Sequence, residues 1–82
     1  MALAADGARV VVFGFDAGAE LTEHTAPGPI LVQALEGHLE FTAEGVTKDL
    51  RPGMLVHLDA RTPHSVRAVE PSRMMLTIIR KD

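Results

Sequence analysis

Residues 30–58 read ILVQALEGHLEFTAEGVTKDLRPGMLVHL, and this stretch decides the fold class. It holds four short segments, Ile30 to Leu35, His38 to Ala43, Val46 to Leu50 and Met54 to Leu58. They are separated by Glu36-Gly37, Glu44-Gly45 and Arg51-Pro52-Gly53, residues that favour tight turns. Each segment is too short for a stable helix, and the pattern has the period of a strand. In HLEFTA, Leu39, Phe41 and Ala43 share one face, while His38, Glu40 and Thr42 share the other. ILVQAL departs from alternation as a near-continuous apolar run, which predicts a strand covered on both faces.

The same grammar extends outward. Arg9 to Phe15 (RVVVFGF) is a strand after a turn at Asp6-Gly7, with Gly14 marking a bulge or a close backbone approach. Glu20 to Thr25 is a polar strand that ends at Ala26-Pro27-Gly28-Pro29, the strongest loop signal in the chain. His64 to Val69 and Arg73 to Arg80 are the last two strands, divided by Glu70-Pro71-Ser72. Seven or eight short strands with regular turns and no helical periodicity predict an all-β sandwich or barrel.

Eighty-two residues make one domain, spanning 1–82, with a thin margin of buried surface. A homodimer is the expected way of burying more. The apolar share of 46% excludes a disordered chain, and with three Phe and no Trp or Tyr the core is aliphatic. A net charge of −3 and no basic cluster argue against a nucleic-acid partner. Zero Cys removes disulfides, thiolate metal sites and cysteine nucleophiles together. No run approaches the roughly 20 apolar residues of a membrane helix, and MALAADGARV lacks the basic start of a signal peptide. The expectation is a soluble cytoplasmic protein without a membrane partner.

Two stretches resemble the paired motifs of the cupin superfamily. From Gly18, five residues lead to His24, and Gly37 stands where the first motif closes. From Gly53, MLVHL leads to Asp59-Ala60-Arg61, Thr62-Pro63 and His64, which is similar to the second motif, ending near Ala68. The resemblance implies a single cupin-type jelly-roll β-barrel, with motifs at about 18–37 and 53–68. It also implies a divalent metal (Zn, Fe, Mn or Ni) held by two His and a Glu of the first motif and one His of the second. Here His24 and His64 stand at ligand positions, but Ala26 stands for the second His and Ile30 for the Glu. In the second motif Asp59, Arg61 and Ala68 replace the family's Pro, Gly and Asn. Two imidazoles alone are a weak metal site, since stable sites usually supply three or more protein donors.

His57 is the candidate third ligand; by period two it shares a face with Leu55, opposite Val56 and Leu58. The alternative is a histidine in the core or in a dimer interface. Gln33, an amide in an apolar run, reads as a pocket group with His24 and His64, or as a polar contact across a two-fold interface. His38 beside Glu40 reads as exposed, and the acidic residues as solvated surface. Ser65 next to His64 points to the opposite face, so the two form no nucleophile–base pair. Met54, Met74 and Met75 read as core or interface filler. Three functions stay open: a metal-dependent cupin such as an oxygenase or isomerase, a metal-free ligand-binding or sensory module, and a dimerisation module without ligand.

Overall fold

The computed structural model describes residues 2–5 and 7–79, in which nine strands and no helix form. They are β1 (Ala2–Ala5), β2 (Ala8–Phe15), β3 (Glu20–His24), β4 (Ile30–Glu36), β5 (Leu39–Ala43), β6 (Val46–Leu50), β7 (Leu55–Leu58), β8 (His64–Ala68) and β9 (Ser72–Ile79). A five-stranded sheet has the order β1-β2-β9-β4-β7, and a four-stranded sheet the order β3-β8-β5-β6. Every strand pair is antiparallel. The crossovers between non-consecutive neighbours give the jelly-roll arrangement that the resemblance implies.

The core lies between the sheets. Ile30, Val32, Met74 and Leu76 come from the first sheet, and Leu39, Phe41, Leu50, Val66 and Ala68 from the second. Alternation does this sorting: Leu39 and Phe41 are buried, while Glu40 and Thr42, which alternate with them, are partly open. The Glu44-Gly45 turn joins β5 to β6 with positive φ at both residues (52° and 76°), the backbone that a two-residue hairpin needs.

Three sequence expectations need correction. Strand β1 is absent from the sequence reading, because an Ala-rich tetrapeptide carries little β signal and is fixed by pairing with β2. The run ILVQAL is covered on one face only: Ile30, Val32 and Ala34 are buried, whereas Leu31 and Gln33 are half-buried and Leu35 is exposed. Its second face is the outside of the five-stranded sheet. Of the methionines read as core or interface filler, Met74 belongs to the core, whereas Met54 is exposed and so is not core.

Candidate functional site

His24 ends β3 and His64 begins β8, and the two are register partners. A β-bulge makes this pairing. Leu21 pairs with Val66, so three steps along β3 match two along β8. Leu21 packs against the core, so strict alternation would turn Glu23 inward and His24 outward. The extra residue reverses the order and sets the His24 ring beside that of His64, which is how a bulge re-aims a side chain.

The two ring centroids are 4.2 Å apart, with an interplanar angle of 61°. Phe41 stacks on the His64 ring at 5.7 Å and 19°. His64 is only 3% exposed, whereas His24 is open to solvent, so the pair spans from the core to the mouth of the barrel.

Both rings are oriented in the same way. The His24 Nδ1 is 2.7 Å from the carbonyl of Thr22, and the His64 Nδ1 is 2.9 Å from the carbonyl of Thr62. A carbonyl only accepts, so each Nδ1–H donates, and in the neutral ring Nε2 keeps its lone pair. Burial pushes the His64 pKa below the ordinary histidine value of 6.5; the Thr62 carbonyl opposes the shift and nearby His24 adds to it. The buried ring is therefore kept neutral, the form in which an imidazole donates to a metal or accepts a ligand's proton.

Beside the pair, a cavity of about 380 Å³ opens at the seam between β6 and β7, where the two sheets do not join. Ala43 in its wall is the register partner of His64, and Thr62 in its wall holds the His64 ring. Lys48 is also in the wall. It pairs with core residue Phe41, so it lies on the inner face of β6. Lys48 is a cavity-lining residue that sequence reasoning missed, although Val46, Lys48 and Leu50 share one face by period two.

The sequence profile of the Cupin domain family matches residues 11–80. The chain belongs to the cupin family. A cupin superfamily protein from Desulfitobacterium hafniense superposes with a TM-score of 0.92 over 99% of this chain and 75% of that one, at 24% identity. An RmlC-like cupin from Desulfovibrio desulfuricans gives 0.85 over 94% and 76%, at 30% identity. KdgF from Halomonas gives 0.85 over 100% and 78%, at 28% identity. No curated protein matches the sequence.

Within this cupin, the positions expected to carry the other two ligands are part of the core: Ala26 is 9% exposed and Ile30 is 1% exposed. His57 is not brought to the pair. It is exposed and pairs with Leu31 on the outer face of the five-stranded sheet, while Val56 and Leu58 beside it pack on the core. Gln33 lies on that outer face too, paired with Leu55 and Met75, and so stands outside the cavity expected to hold it. Period two sends both residues away once Val32 and Val56 turn inward. Among the described residues, no group of three or more His, Cys, Asp or Glu is placed to hold an ion.

His38 differs from its exposed reading as well. Its ring is 15% exposed and Nε2 is 2.7 Å from Asp49 Oδ1, while its backbone N–H donates to Ser72 Oγ at 3.0 Å. Ser72 is buried and donates to the carbonyl of Glu70 at 2.7 Å. Because Ser72 contacts the His38 backbone rather than its ring, this group pins a strand crossing and is not a nucleophile–base pair. Ser65 lies on the opposite face of β8 from His64, as alternation requires.

Proposed function

We propose that this cupin binds a small organic ligand at the barrel mouth, and that His24 and His64 hold it through a divalent transition metal. The single observation behind the reading is the matched orientation of the two rings, with both Nδ1 atoms committed to backbone carbonyls and both Nε2 lone pairs free. Imidazole is a suitable donor for Zn, Fe, Mn or Ni, and a fixed second hydrogen bond on Nδ1 is the usual support of a metal-bound histidine. The donor set fits a metal in type but supplies only two protein positions, which leaves the others to ligand and water. When bound, the metal would act as a Lewis acid on the ligand. The chain's own residues orient the donors, keep His64 neutral and offer an apolar wall at Phe41.

The two-donor count also favours a second reading, in which the pair accepts hydrogen bonds directly from a ligand without metal. One experiment separates the two. Purified protein is titrated with zinc, iron, manganese and nickel by calorimetry, beside His24→Ala and His64→Ala. Binding of at least one metal, lost in both variants, supports the metal-held site. No binding of any metal removes it, and leaves the metal-free reading.

The partner we propose is a second copy of the chain. The outward face of the five-stranded sheet carries Val10, Val12, Leu31, Leu55 and Met75, with Gln33 among them. An apolar face of this extent, on a domain with so little core, favours two-fold pairing.

A further inference from the structure

We infer that the cavity between β6 and β7 takes the body of a small organic carboxylate, and that Lys48 is the counter-charge that selects it; this rests on the His24–His64 pair being the ligand site.

The placement of Lys48 is the starting point. Along β6 the inward positions are Val46, Lys48 and Leu50, because their partners Ala43, Phe41 and Leu39 line the core side of β5. Thr47, between them, faces out and bonds Thr42 there, Oγ1 to Oγ1 at 2.8 Å. An ammonium thus stands on the same side as the core, at an edge where the sheets part. Among the described residues it makes no ion pair, whereas Arg67 and Arg73 on outer faces are each paired to a Glu. An inward lysine on an edge strand discourages edge-to-edge pairing. That alone gives no reason for the cavity beside it, which Val56 and Leu58 line from the facing sheet.

The cavity's chemistry is that of an amphipathic ligand. Its volume of about 380 Å³ is at the small end for ligand sites. Phe41, Ala43, Val46, Val56 and Leu58 give it apolar walls, His57 and Thr62 border it, and Lys48 is the one Lys or Arg in its lining. Two carboxylates, Glu44 and Asp59, also border it, one exposed in the β5–β6 turn and one just after β7. They border the seam near its ends and are exposed, as Lys48 is, but Lys48 stands in the third register pair from the turn, opposite core residue Phe41. A carboxylate resting on Lys48 has its apolar body beside Phe41, on which the His64 ring also stacks. The cavity thus neighbours the imidazole pair, with Ala43 in its wall paired to His64 and Thr62 in its wall accepting from the His64 ring.

The test uses benzoate and its neutral isostere benzamide, titrated by calorimetry into wild type, Lys48→Met and Lys48→Arg. Lys48 is exposed at a sheet edge, so its variants keep the wild-type melting temperature. The wild type binds benzoate about threefold more tightly than benzamide, the effect of one ion pair with an exposed lysine. Lys48→Met binds the two equally, and Lys48→Arg keeps the preference. The inference is overturned if wild type does not distinguish the two probes, if it binds neither at millimolar concentration, or if Lys48→Met still prefers benzoate. Zinc titration of the same variants separates this from the reading of the histidine pair. Lys48→Met retains whatever zinc binding the wild type has, and only His24→Ala and His64→Ala bear on the pair.

Discussion

Replacing Gly37 with Ala tests why the first motif must close on glycine. Gly37 has φ +83°, and a Cβ there would lie 2.3 Å from Ser72 Oγ, 2.5 Å from the Pro71 carbonyl and 2.9 Å from Ser72 Cα. Two costs add. The left-handed backbone costs an alanine roughly 1–2 kcal/mol, and forcing a methyl against backbone atoms costs about 1–3 kcal/mol more. The total is about 2–5 kcal/mol, a large share of the roughly 4–12 kcal/mol expected for a domain of this length. At about 4–8 °C per kcal/mol for a domain of this size, the melting temperature falls by roughly 10–40 °C. Gly53→Ala is the control, because Gly53 has φ +92° but a methyl at its Cβ position would meet nothing within 4 Å. It should lose only the backbone contribution. The assay is thermal and urea unfolding followed by far-UV circular dichroism. If Gly37→Ala melts within a couple of degrees of Gly53→Ala, the close approach to Pro71 and Ser72 is not what the glycine serves.

Three further outcomes follow from the same geometry. Ser72→Ala leaves the His38 N–H without its acceptor and lowers the urea midpoint by an amount equal to about 1–3 kcal/mol at unchanged m; an unchanged midpoint would show that the crossing does not depend on this hydroxyl. The depressed His64 pKa makes stability fall on acidification. Above the ordinary value of 6.5 the ring is neutral in both states and contributes no slope, and below it the unfolded chain takes up the proton first, until the folded-state value is passed. His64→Phe should therefore lose less stability than wild type between about pH 7 and about pH 5, and parallel curves would refute this assignment. Leu31→Lys combined with Met75→Lys puts charge on the outer sheet face and should turn a dimer into a monomer by light scattering; a wild type that is monomeric at about 100 µM, well above a micromolar Kd, would remove the dimer altogether.

The fold class was legible because turn residues and period-two alternation are local properties. HLEFTA and the Glu44-Gly45 hairpin carry their own instructions, and the aliphatic core of Leu39, Phe41 and Leu50 follows from them. The two glycine-spaced motifs singled out His24 and His64 as candidates, and the structure sets these rings side by side. Strand β1 was not legible, since Ala2–Ala5 acquires its conformation from β2 rather than from its own residues.

What the sequence could not decide was which way a side chain points once pairing departs from regularity. ILVQAL has the pattern of a strand buried on both faces, and only the sheet order shows that Leu31 and Gln33 face outward. His57 belongs to a regular strand, yet whether its face or that of Val56 turns inward depends on the register with Val32. His24 depends on one extra residue between Leu21 and the strand end. Without that bulge it would face away from His64. Residue type and spacing name the candidates for a site, but a one-residue shift in a ladder reverses a face, and that shift is settled between strands far apart in the chain.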